Sequence, residues 1–127
     1  MRPSSTGSTD HLRKGREAED RALSFLQQQG LRYVDRNFRT RCGEIDLVMD
    51  DSGILVFVEV RYRQHRGYGG AIESIDRAKC ARLVATAQWY LNAKRVRGPA
   101  RFDVVALELQ ATGATSVVWI KDAIRDA

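Results

Sequence analysis

Glu44, Asp46, Glu59 and Arg61 are the residues of this chain whose types and spacing could do chemistry. Glu59 interrupts residues 54–60, I-L-V-F-V-E-V, an apolar β-rich run of the kind carried by a central strand buried on both faces. Arg61 follows two residues on, on the same side of an extended strand. Asp46 stands thirteen residues before Glu59, in a second short run, G-E-I-D-L-V-M. An ionised carboxylate out of water is costly unless it is paired or bound to a metal. Oxygen-only ligands select a hard cation, Mg²⁺ or Mn²⁺, over zinc. Such an ion positions and activates a water and offsets charge developing on a transferring phosphate. Arg61 could clamp that phosphate, but a guanidinium stays protonated and makes a poor general base.

The elements around these residues must bring them together. Residues 44–49 and 54–62 read as two strands joined by Asp50-Asp51-Ser52-Gly53, a four-residue hairpin turn. Pairing Met49 with Ile54 sets Phe57 opposite Asp46 and Glu59 opposite Glu44. Period-two alternation then projects Glu44, Asp46, Glu59 and Arg61 from one side. Asp46 and Glu59 become diagonal neighbours, roughly 7–8 Å apart at the backbone, which suits one divalent ion between them. A third acid can join from a helix expected over residues 14–29. Its buried stripe is Ala18, Ala22, Phe25 and Leu26, and Gly30 is its stop. Glu19 borders that stripe, whereas Glu17 lies almost opposite, towards solvent. The plainer account makes Glu59 and Arg61 a salt bridge at a strand end and Asp46 a partner of Arg39 or Arg41. For a lone acid that account would be preferred; two acids and a cation converging on one face favour the functional one.

Further along, residues 31–34 read as a short strand entering a basic loop, Arg36-Asn37-Phe38-Arg39. His65 to Gly70 reads as a flexible glycine-rich loop, and a second helix runs from an N-cap at Ser74 to Ala93. Strands at 102–109 and 117–120 complete an α-β-β-β-α-β-β order, an α/β or α+β layer fold. Residues 1–13 read as a disordered tail and 14–127 as a single domain.

The formal net charge is +5, from 21 basic and 16 acidic residues, with a sequence pI near 9.6. Three basic clusters surround the acids: Arg36, Arg39 and Arg41; Arg61, Arg63 and Arg66; Arg77, Lys79 and Arg82. Their placement points to a polyanion, a nucleic acid above all. Cys42 and Cys80 are too few for a disulfide framework, and His11 and His65 have no partner at zinc-ligand spacing. No apolar run approaches the roughly 20 residues that span a membrane, and the N-terminus lacks the apolar centre of a secretory signal, so a cytoplasmic location is expected.

The ordered motifs G-E-I-D-L-V, V-F-V-E-V-R-Y-R, R-F-D-V-V and W-I-K-D-A resemble the YraN-like family of small bacterial proteins, over residues 15–123. That family is grouped with the restriction-endonuclease-like superfamily of the PD-(D/E)XK signature, near the archaeal Holliday-junction resolvases. The resemblance implies an αβββαβ core with a mixed sheet flanked by helices. It makes Asp46 the first signature acid, Glu59 the second, Arg61 the occupant of the lysine position, and Glu19 the first-helix glutamate of resolvase-like members. It also implies a Mg²⁺- or Mn²⁺-dependent endonuclease hydrolysing phosphodiester bonds, in DNA and branched DNA before RNA. Because resolvases act as dimers, it raises a homodimer as a further expectation. Two departures stand out: Ile45 replaces the signature proline, and Arg61 replaces lysine. If that lysine must give up a proton, the alternative is a weak or inactive nucleic-acid-binding or adaptor module on the same fold. Gln88 and Tyr90 match a glutamine and tyrosine that assist in some superfamily nucleases, with a coincidence of helix face as the plainer explanation.

Overall fold

Residues 54–58 are apolar at every position, so the strand that carries them needs cover on both faces. The computed structural model describes residues 6–64 and 76–124, with side chains for 15–63 and 76–124. In chain order these form α1 (Thr6–Gln28), β1 (Arg32–Thr40), β2 (Gly43–Asp51), β3 (Ile54–Gln64), α2 (Arg77–Ala93), β4 (Ala100–Leu109) and β5 (Thr115–Ile120). The strands make one sheet in the order β1-β2-β3-β4-β5, antiparallel except for the β3–β4 pair. The α/β domain with a mixed sheet is as expected and compatible with an αβββαβ core. Ala18, Ala22 and Leu26 of α1 cover Leu47, Met49, Val56, Val58, Val105 and Leu107 on one face. Leu83, Ala87 and Tyr90 of α2 cover Ile45, Val48 and Phe57 on the other.

Several boundaries differ from expectation. Helix α1 starts at Thr6 rather than 14, so residues 6–13, expected in a disordered tail, are helical. The segment from Arg36 to Arg39 is not a loop but part of β1, whose charges fit a sheet edge exposed to solvent. Helix α2 is capped by Asp76 rather than Ser74: its Oδ1 accepts the Lys79 N–H at 2.8 Å, and aspartate caps as well as serine does. Ser74, His65 and Arg66 lie outside the described residues.

The β2–β3 turn sets the register of the site. It holds two residues rather than four, Ser52 and Gly53, both at positive φ (53° and 97°), as a type I′ turn requires. Asp50 Oδ1 accepts the Gly53 N–H at 3.1 Å. Asp51 pairs with Ile54 and Met49 with Val56, two residues from the expected register. The even slip keeps each residue's face. It also leaves Asp46 and Glu59 each one step past the last pair, Leu47–Val58, in place of the expected diagonal within the ladder. That pair is where β2 and β3 part. Beyond it β3 stays on β4 as far as Gln64–Leu109, while β2 stays on β1 as far as Thr40–Gly43. The sheet forks there.

A second buried acid sits away from the fork. Asp103 of β4 is fully buried and accepts from Arg101 Nε, Trp119 Nε1 and the Asp122 N–H, each at 2.9 Å. Arg101 also reaches Asp51 at 2.9 Å, tying β4, β5 and the turn after it to the end of the β2–β3 hairpin.

Candidate active site

Asp46 stands at the mouth of the fork. Its Oδ2 accepts the Val60 N–H at 2.8 Å, so a side chain satisfies β3 where the main-chain ladder has ended. Burial pushes the Asp46 carboxyl up to about 8; the charges of Glu59, Glu19 and Glu44 add to the rise, and the Val60 N–H opposes it. Glu59, 5% exposed, accepts from Arg61 at 3.1 Å. Lys79 Nζ approaches the same oxygen, Oε2, at 3.1 Å. A salt bridge between Glu59 and Arg61 was one of the sequence's two readings. The lysine, counted from sequence only among the surface cations, is inside the acid cluster.

The expectation that Glu44, Asp46, Glu59 and Arg61 share one side does not survive. Ile45 packs with Val48 against α2 while Leu47 and Met49 pack against α1, so strict alternation fails around Asp46. Opposite Asp46, on β1, stands Asn37, whose φ of 56° is left-handed, so alternation breaks on both strands at this point. Adjacent Arg36 and Asn37 both reach Glu19, at 3.2 and 3.0 Å, while Phe38 turns the other way onto Tyr90. Asn37 Nδ2 also donates to Glu44 at 3.1 Å. Glu19 and Glu44 thus form a second acidic pair bridged by an amide on the α1 side. Glu59 and Arg61 face α2.

The basic residues divide similarly. Arg36 pairs with Glu19 and Asp20, and Arg39 with Glu44 at 3.2 Å. Arg41, Arg63, Arg77 and Arg82 are exposed. Gln88 is brought to another place: it lines a cavity of about 320 Å³ with Phe57, Phe102 and Ile124. Tyr90 is buried, and its hydroxyl donates to Asp35.

Sequence reasoning missed Asn37 and the role of Lys79. A helix that follows a strand starts near that strand's C-terminal end, so the first turn of α2 was the place to seek a partner for Glu59. Nothing in the spacing of twenty residues between them says so. Among the described residues no group of three Asp, Glu, His or Cys side chains converges as a ready metal cage. Mg²⁺ needs less, since it keeps several waters and takes one or two carboxylates. Asp46 and Glu59 fit that demand.

Residues 18–107 match the family described as uncharacterised protein family UPF0102. The chain belongs to the UPF0102 family. A UPF0102 protein of Methylococcus capsulatus is 52% identical over 110 residues, covering 87% of this chain and 89% of that one. Another, from Halorhodospira halophila, is 51% identical over 126 residues, covering 99% and 98%. A third, from Pseudomonas savastanoi, is 51% identical over 111 residues, covering 86% and 90%. This is the YraN-like family expected from the motifs, and Glu19, Asn37, Asp46, Glu59, Arg61 and Lys79 all fall within the UPF0102 match.

Proposed function

We propose that this chain is a Mg²⁺- or Mn²⁺-dependent phosphodiesterase acting on nucleic acid, DNA before RNA, with Asp46 and Glu59 as the metal-holding pair. The observation that carries the reading is the reach of Asp46 across the fork to the Val60 N–H, next to Glu59, with its carboxyl pushed up to about 8 by burial and by the Glu59 charge. A divalent cation is the natural replacement for the Asp46 proton. When bound, it would supply the charge that activates water and offsets the phosphate.

The remaining work falls to the chain's own side chains. Arg61 and Lys79 converge on one Glu59 oxygen and so stand where a phosphate oxygen would meet them. Arg61 offers a planar fork suited to two phosphate oxygens, and Lys79 a compact point charge. The amine absent from position 61 thus arrives from α2. Asn37, with Arg36, holds Glu19 on the α1 side, where its charge acts on Asp46.

Branched, single-stranded and duplex DNA incubated with the protein in Mg²⁺ or Mn²⁺ tests the reading. Cleavage by wild type that disappears in an Asp46→Ala, Glu59→Ala variant is expected. No cleavage of any substrate, or equal cleavage by the variant, sinks it.

A second reading, a nucleic-acid-binding module without efficient chemistry, draws on the same geometry. Two cations already on Glu59 can do electrostatically what a metal would do. It requires salt-sensitive binding that is indifferent to metal.

A further inference from the structure

The flank of α2 that leads away from the carboxylates is built differently from the rest of the helix. Trp89 is 59% exposed, an unusual setting for the largest apolar side chain. Arg82, also exposed, lies seven residues earlier, two helical turns and so about 10 Å away on the same flank. The neighbours fix where that flank points. A Cβ built on Gly43 would meet Thr86 Oγ1 at 3.3 Å and Arg82 Cβ at 3.7 Å, so the flank leans on the β1–β2 turn, where Arg41 lies. Further along, Tyr90 meets Phe38 of β1 edge-to-face with ring centroids 4.9 Å apart. At the start of α2, Lys79 is on Glu59. A line of two cations and an indole therefore runs from the acids along α2, about 15 Å from Lys79 to Trp89.

We infer that this flank is a groove for one unpaired strand of nucleic acid, with phosphates on Lys79 and Arg82 and a base stacked on Trp89. The inference rests on the nucleic-acid substrate proposed above and names its form. Aromatic faces spaced among cations are the chemistry by which single strands are held, since every base has a π-face. Duplex DNA hides those faces in its stack. A polyanion suits a chain of net charge +5, whereas an apolar protein partner would set Trp89 beside an arginine it could not neutralise.

The chain's other tryptophan gives the test a control. Trp119 donates to buried Asp103 at 2.9 Å and has Lys121 over its ring at 4.5 Å, so it is not available for stacking. Full-length protein is titrated in EDTA with single-stranded oligothymidylate and with a blunt duplex of equal length, following tryptophan fluorescence. The expected result is quenching by the single strand and weaker binding of the duplex. Trp89→Ala should weaken single-strand binding about tenfold, and Trp89→Phe should keep most of the affinity but abolish the quench. Arg82→Ala should lower the salt slope by about one. Binding unchanged in Trp89→Ala, a quench that persists in Trp89→Phe, preference for the duplex, or no binding at low salt each overturns the groove. Binding without metal separates this outcome from the hydrolysis reading: cleavage can fail while the groove stands, and the groove can fail while cleavage stands.

Discussion

Lys79 Nζ lies 3.1 Å from Glu59 Oε2, the oxygen that also takes Arg61 at 3.1 Å. One carboxylate, 5% exposed, is held by an amine from a helix and a guanidinium from its own strand. The two cations are not equivalent, because only the guanidinium presents a planar fork. If the site cleaves phosphodiesters, Lys79→Ala should lower metal-dependent cleavage by about a hundredfold, as removal of one transition-state donor does elsewhere. Arg61→Lys should raise cleavage if the guanidinium is limiting. Thermal midpoints taken beside the rates separate lost chemistry from lost fold.

Asp46 makes stability depend on pH in an unusual direction. Its carboxyl rises from an ordinary 3.8 to about 8, so between those values the folded state binds more protons than the unfolded one. Its contribution is full below about 3.8 and is lost as pH rises through about 8. The metal-free protein should melt at a lower temperature at pH 8 than at pH 5, and Asp46→Asn should flatten that slope. Mg²⁺ or Mn²⁺ should stabilise more at pH 8 than at pH 5, because the ion must displace the proton.

Asn37 bridges Glu19 and Glu44 from a left-handed backbone. Asn37→Asp keeps the shape and places three carboxylates together. It should destabilise the protein by about 1 kcal/mol or more at pH 7, and the loss should shrink towards pH 4 as the acids protonate. Urea unfolding at the two pH values reads both numbers.

Asp103 carries no proposed chemistry and much of the fold. Asp103→Ala leaves the Trp119 indole without its acceptor and Arg101, 16% exposed, with Asp51 in place of two carboxylates. Breaking a buried pair by removing one partner costs about 3–5 kcal/mol. A lowered urea midpoint with Trp119 fluorescence shifted towards that of exposed indole is the expected result.

The element order, both helices and the mixed sheet were legible because they follow from apolar periodicity and one hairpin. The register error was harmless because Ser52-Gly53 can close a two-residue turn and the slip was even. What stayed hidden has a common origin. A left-handed Asn37 reverses the alternation of its neighbours, and period-two reasoning has no place for that. Lys79 reaches Glu59 through a crossover, so no spacing along the chain reports it. Arg36 and Arg39 looked like a loop because an edge strand carries charge.

The parting of β2 from β3 after Leu47 and Val58 has a mechanical meaning. Asp46 rides on one arm with β1, and Glu59 rides on the other with β4 and β5. The gap between the acids is therefore an angle between two arms rather than a property of either strand. The molecule is a pair of tongs whose pivot is the Leu47–Val58 pair, held closed behind by the ladder that runs to Asp51–Ile54. One residue inserted in the Ser52-Gly53 turn would slip that ladder and misalign the jaws without touching either acid.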